Sequence, residues 1–502
     1  MTTKFQRYPG KRWALLYGGE SEIARFAVAE LQRAAQDFFP YVLEVRPVAE
    51  ADEAFLRAHH LLLCGTEADH PGISRLVAAG TISIPEKSES YVLHSGVSPW
   101  NAESRLVALA GADANGMLYA VEDFNARILT AGILPEIPAR RREAFDHLPP
   151  FHHVESPAIG ARGLWTWGYV IYDYRGFFDN MARLRLNMVT IWNDCLPVNC
   201  REVIGYACSR GVRVVLGFSW GWGEKVDISC VGDREKIRGR VVAEYLNHYH
   251  GLPIDGLYLQ TDTEHSIASR QGRPTAHWAC LLVNEVGGAL LERNPELKIQ
   301  FGLHATSIQN DYRELEALDP RITITWEDAG MIPYAYEPIL SWNEKETEPP
   351  DREVGRWLRS AVGTPEATLA HSRKLATLRD ASSFAMVPKG WIAIRWPEEF
   401  ENHGSFLLGE RSQRFIRARL RERQPRWDRM NRLWMRRFPL AQTFYRELLK
   451  VQPNLLVTAL VEDGLFESVI QPSVALFAQT VWNPQRSSDE ILDAALSLTG
   501  RE

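Results

Sequence analysis

The chain has 502 residues, 45% of them hydrophobic and 24% charged, with 57 Lys plus Arg against 63 Asp plus Glu, a formal charge of −6. At about 100–200 residues per domain, this length predicts two to four domains and a core that needs neither disulfides nor metal. The charge balance leaves no global footprint for nucleic acid or an anionic membrane, and no apolar run reaches the roughly 18 residues of a transmembrane helix.

The start, MTTKFQRYPGKRWALLYGGE, lacks the apolar stretch of a secretory signal. The six cysteines (Cys64, Cys195, Cys200, Cys208, Cys230, Cys280) form no Cys-x-x-Cys pair and read as reduced thiols, which predicts a cytoplasmic protein. RWALLYGG is an apolar strand ending in Gly18-Gly19, and SEIARFAVAELQRAAQDFF continues at helical spacing behind Ser21 as N-cap. HHLLLCGT is a second short strand, YVLHSG and RLVALAGAD are a further pair, and GMLYAVEDFNARIL returns to the helical period. The stretch from Pro135 to Pro157 is rich in Pro, Arg and His without periodicity, which predicts a linker. Residues 1–150 therefore read as a small α/β domain.

From Arg162 the pattern becomes a strand–helix alternation. The strands are ARGLWTW, MVTIWND, RVVLGFSWG, IDGLYLQTD, KIQFGLHAT, ITITWED, FAMVPKG and LLVTALVED. Amphipathic segments such as FFDNMARLRLN, CREVIGYACSRG and AHWACLLVNEVGGALLERNP separate them. A doubly wound sheet would show the same alternation. The strand count and the missing Gly-rich first turn favour a (β/α)8 TIM barrel over residues 158–502, with long helical insertions after strands six and seven. The second insertion carries eleven Arg from Arg411 to Arg437. A basic docking surface is one reading. Solvated helix faces over a buried side of Trp427, Leu433, Trp434 and Phe438 is the favoured one. The late helices also offer a homodimer face.

Barrel enzymes draw their catalytic groups from strand C-terminal ends. Those ends are Trp165 and Trp167, then Trp192-Asn193-Asp194, then Trp220 and Trp222 with Lys225 beyond. The later ones are Asp262-Thr263-Glu264-His265, His304, Trp326-Glu327-Asp328, Lys389 with Trp391, and Glu462. If strand four runs on, Asp262 and Glu264 point to the same side. Two close carboxyls split their pKa values, leaving one as an acid and the other ionised, which is what glycoside cleavage requires. A pair of helix-capping acids is the plain alternative. Glu327 or Asp328 would supply the base, and only one of these neighbours can face inward. The sixteen Trp suit sugar platforms, and Lys225, Lys389 or Arg162 could hold a carboxylate. His265 and His304 could bond sugar hydroxyls. No His-x-x-x-His pair predicts zinc, and no Gly-x-Ser-x-Gly elbow or phosphate loop is present. No cofactor is expected.

The run ALAGADANGMLYAVEDF resembles the α/β domain that precedes the barrel in α-glucuronidases of glycoside hydrolase family 67 and in β-N-acetylhexosaminidases. RGLWTWGYVIYDYRGFFDNMARLRLNMVTIWND is similar to the opening unit of their barrels, and VALFAQTVWNPQRSSDEIL to a closing helix and turn of α-glucuronidase-like proteins. The resemblance implies a catalytic acid at the end of strand four, where Glu264 stands, and a base on a later strand. It implies an exo-acting glycoside hydrolase on an oligosaccharide or glycoside. The spacing Asp262-Thr263-Glu264 also resembles the Asp-x-Glu of chitinases, which implies a substrate-assisted N-acetylhexosaminidase as the alternative. A non-catalytic carbohydrate-binding barrel is a third expectation.

Overall fold

A computed structural model describes residues 8, 10–130, 145, 148–167, 171, 173–192, 196, 199–221, 225–260, 269–304, 312–327, 365–378, 386–391, 413–461 and 465–499. The chain divides into two compact units, Met1–Pro157 with Ser209–Gly211, and Ala158–Cys208 with Val212–Glu502.

The first unit holds one mixed sheet. Its strands are β1 Trp13–Tyr17, β2 Glu44–Pro47, β3 His60–Thr66, β4 Tyr91–Ser98, β5 Asn101–Gly111 and β6 His152–Glu155, in the order β2-β1-β3-β5-β4-β6. The first four neighbours run parallel, and β4 is antiparallel to both β5 and β6. The helix Glu22–Gln36 starts where the Ser21 hydroxyl accepts from the Ala24 amide at 3.1 Å. Leu16, Leu61, Leu63, Ile73, Val92, Leu106 and Ala108 pack as its core. Glycine matters where β1 and β3 end. A Cβ on Gly18 or Gly65 would fall 2.5 or 2.9 Å from the Asp69 carboxylate, which accepts the Thr66 amide at 2.7 Å.

The expected linker is in part structure. β6 lies within it and pairs with β4 from Tyr91↔Glu155 to His94↔His152. Phe145 is buried and meets Trp13 edge-on at 4.8 Å. A four-residue edge strand spelled HHVE has too few apolar positions to show a period.

In the second unit eight parallel strands close into a ring. They are β7 Ala161–Trp167, β8 Met188–Trp192, β9 Arg213–Gly217, β10 Gly256–Leu259, β13 Lys298–His304, β14 Ile322–Glu327, β15 Met386–Trp391 and β16 Leu456–Leu460. Helices Tyr174–Arg183, Cys200–Cys208, Val231–Glu244 and Thr275–Leu291 follow the first four strands in turn. A short hairpin, β11 Ser269–Arg270 with β12 Arg273–Pro274, precedes the last of these. The helix Gln413–Val451 buries Trp427, Leu433, Trp434 and Phe438 while Arg432 and Arg436 stay exposed, so over this stretch the arginines form a solvated face.

Arg162 departs from its expected role. It stands at the start of β7, the end opposite the mouth, and is fully buried. Its guanidinium donates to the carbonyls of Ile159 at 2.6 Å and Arg185 at 3.0 Å and lies 4.9 Å over the Trp482 ring. Backbone carbonyls and an aromatic face satisfy it, so it closes the barrel floor instead of meeting a ligand.

Candidate active site

Successive strand residues alternate between the barrel's faces. Ala161, Trp165, Met188, Trp192, Val215, Tyr258 and Leu460 form the inner cluster. Registered neighbours share a face. Leu460 pairs with Trp165 and Trp391 with Leu460, while His304, Glu327, Lys389 and Thr458 form one continuous row. The positions of Trp167, His304, Glu327, Lys389 and Trp391 therefore belong to the inner face at the C-terminal ends. The position of Trp326 is the alternate one, level with Leu303 and Pro388. For these six residues only the backbone lies within the described structure.

Beneath the mouth the large rings are packed. Trp165 and Trp192 are 2% and 1% exposed and meet Tyr258 edge-on at 5.9 and 5.7 Å. Gly217 makes this possible, because a Cβ there would lie 2.6 Å from the Trp192 ring and 3.1 Å from Tyr258. Trp220 is fully buried beside Phe218, which stacks on Tyr249 at 4.7 Å. The sequence reading had all three as sugar walls. Here each packs against protein. Lys225 is exposed beyond β9.

β10 ends at Leu259, short of the acidic pair that the sequence reading carried on the same strand. Asn193, Asp194, Trp222, Asp262, Glu264, His265, Asp328 and Glu462 lie outside the described residues.

The hairpin β11–β12 is held by residues the sequence reading did not single out. Gln271 and Gly272 have φ of 47° and 73°, the two left-handed positions of a type I′ turn. Arg270 donates to Asp227 at 3.0 Å, joining the hairpin to the connection after β9. Asp227 also accepts from the Ser229 hydroxyl at 2.6 Å and its amide at 3.0 Å. These Ser229 bonds, and then Arg270, hold its pKa below the usual carboxylate value. The Trp278 indole donates to the Arg270 carbonyl at 3.0 Å, and Arg234 lies over Trp278 while Glu285 takes its Nε with both oxygens at 3.1 Å. A Gln-Gly pair between arginines is a weak hairpin signal, and the Asp227 contact spans 43 residues. Among the described residues no three His, Cys, Asp or Glu side chains converge on a metal site. No described helix is long and apolar enough to cross a membrane.

No protein-family description matches the chain. No curated protein matches it either. Among solved structures it is similar to a GH138 enzyme targeting pectin rhamnogalacturonan II, at 11% identity and a TM-score of 0.49. The match covers 95% of this chain and 52% of that one, so the chain spans about half its length.

Proposed function

We propose that the chain is a glycoside hydrolase whose active site is the C-terminal mouth of a (β/α)8 TIM barrel. The observation that carries this reading is the register row in which Glu327 stands between His304 and Lys389 on the inner face. A carboxylate flanked by a basic and an imidazole residue at strand ends is where barrel enzymes keep their chemistry. The stagger supports the barrel class. Stepping through the registered pairs once around the ring returns to the starting strand about eight residues lower, the shear of a TIM barrel.

In the reaction, Glu264 gives its proton to the glycosidic oxygen as the bond to the anomeric carbon breaks. Water adds to that carbon from the opposite face and loses its proton to Glu327, and solvent exchange resets both carboxyls. This is the inverting course. Between Glu327 and Asp328, the register favours Glu327 as the base. Asp262 assists Glu264 or orients the substrate. Lys389 beside Glu327 favours a uronic-acid glycoside, the α-glucuronidase-like specificity, by pairing with the sugar carboxylate. No cofactor takes part.

The test is product release by mass spectrometry from a panel of uronic-acid-bearing and N-acetylhexosamine-bearing oligosaccharides. Wild type should release a uronic acid. Glu264→Gln and Glu327→Gln should each lose at least about 100-fold in turnover while retaining binding. Release of N-acetylhexosamine would move the weight to Asp262 and substrate assistance. Wild-type silence with retained sugar binding would leave a binding protein, and full activity in Glu264→Gln would remove the acid.

A further inference from the structure

In a barrel with this stagger, inner-face residues fall into layers of four drawn from alternate strands. The strand registers place Thr190 of β8, Tyr258 of β10, Thr325 of β14 and Thr458 of β16 in one such layer. Branched apolar residues usually fill these layers. Here all four members carry a hydroxyl, and all are buried to 1% exposure or less.

Thr325 donates to the Gln300 side chain at 3.3 Å. The hydroxyls of Thr190, Tyr258 and Thr458 have no hydrogen-bond partner among the described residues. A single buried hydroxyl without a partner is costly, and three in one layer of a core point to a polar guest. The edges of Trp165 and Trp192 close over Tyr258, so the guest is small. Water is the ligand that such a site selects, because it bonds two to four polar groups at once.

We propose that this hydroxyl layer is an internal hydration site, in which ordered water bonds Thr190, Tyr258 and Thr458 beneath the tryptophans of the mouth. The site stands independently of any glycosidase activity. By the same registers it lies two layers below the one that contains Trp192, Glu327 and Leu460.

The experiment uses the full chain with Thr190→Val, Thr458→Val, the double variant and Tyr258→Phe. Thermal unfolding is read together with ¹⁷O magnetic relaxation dispersion, which counts long-lived internal water. Each single variant should lower Tm by about 1–3 °C. The double variant should lose long-lived water, and Thr458→Ser, which keeps the hydroxyl, should keep the wild-type water count. Tyr258→Phe removes one oxygen and keeps the ring, so it gives a readable result if the valine pair fails to fold. A Tm that rises on removal of the hydroxyls would mean a dry layer and overturn the proposal. So would an unchanged dispersion signal, whatever the Tm, since the hydroxyls would then bond protein.

Discussion

His70 caps the helix Pro71–Ala78 from inside the first unit, and its environment fixes its protonation state. The amides of Gly72 and Ile73 donate to Nδ1 at 3.1 and 3.3 Å, so Nδ1 carries no proton. Nε2 therefore holds the hydrogen and donates to the Leu16 carbonyl at 3.2 Å. A second proton would face two amide hydrogens in a site with no solvent exposure. Burial is the main cause that lowers the pKa from 6.5 to about 4. The neutral form is the folded form, so this stabilisation is complete above pH 6.5 and is lost as pH falls through about 4. At 1.36 kcal/mol per pH unit the whole loss is about 3 kcal/mol, and about 2 kcal/mol of it falls between pH 7 and pH 5. For a unit of this size that lowers its midpoint by about 4–8 °C.

The assay is thermal unfolding from pH 7.5 to 4.5, with hydrogen exchange by mass spectrometry across residues 60–80 to report this unit. His70→Asn is the control, because Asn accepts amides at an N-cap but does not titrate in this range. His94 and His153 are also lowered by burial, so the variant keeps a residual slope. The variant should be less pH-sensitive by about 2 kcal/mol between pH 7 and pH 5. Parallel pH profiles for the two proteins would refute the assignment of this titration to His70.

Gly217→Ala places a methyl 2.6 Å from the Trp192 ring and should cost about 1–3 kcal/mol in urea unfolding. Adding Trp192→Phe removes the crowded benzo edge, so the double variant should be less destabilised than the sum of the two, and additivity would argue against this contact. Arg270→Gln breaks a partly exposed ion pair worth no more than about 1 kcal/mol, so Tm should move by only about 2 °C or less. On the proposed reaction it should nonetheless lower kcat about tenfold with a smaller change in KM, because the hairpin directly follows Asp262 and Glu264 in the chain. An unchanged kcat would separate Arg270 from the site.

Long periodic elements were legible in the sequence. The eight apolar runs after Arg162 correspond to the eight ring strands, and Ser21 caps the helix that its position announced. Short or polar elements were not. β2, Glu44–Pro47, has an exposed or half-buried residue at every position, and β6 is a histidine pair followed by Val-Glu at a sheet edge. Both exist because a neighbouring strand offers a hydrogen-bonding edge, which no local pattern announces. Strand length was overestimated at β9, where buried apolar residues continue past Gly217 into Phe218 and Trp220, and at β10, which ends at Leu259 before the polar Gln260. Arg162 was misread for a related reason. Its distance from the first strand-end tryptophan says which end of β7 it occupies, but a buried arginine satisfied by carbonyls looks in sequence like one awaiting a carboxylate.

The tryptophans show where composition stops being informative about function. A platform for a sugar must expose a ring face, and Trp165, Trp192 and Trp220 are buried among protein atoms. Their size has a structural use. A glycine in the next strand, as at Gly217, leaves room that one indole fills, so Trp192 and Gly217 act as a single packing unit. That arrangement makes a rigid floor and shifts any ligand contact upward. The strand registers place Trp167, His304 and Trp391 together in the topmost inner layer, one step above the layer that contains Glu327. On the proposed function, recognition of the glycoside then belongs to this upper layer and the connections beyond it. The lower tryptophans contribute the packed floor beneath it.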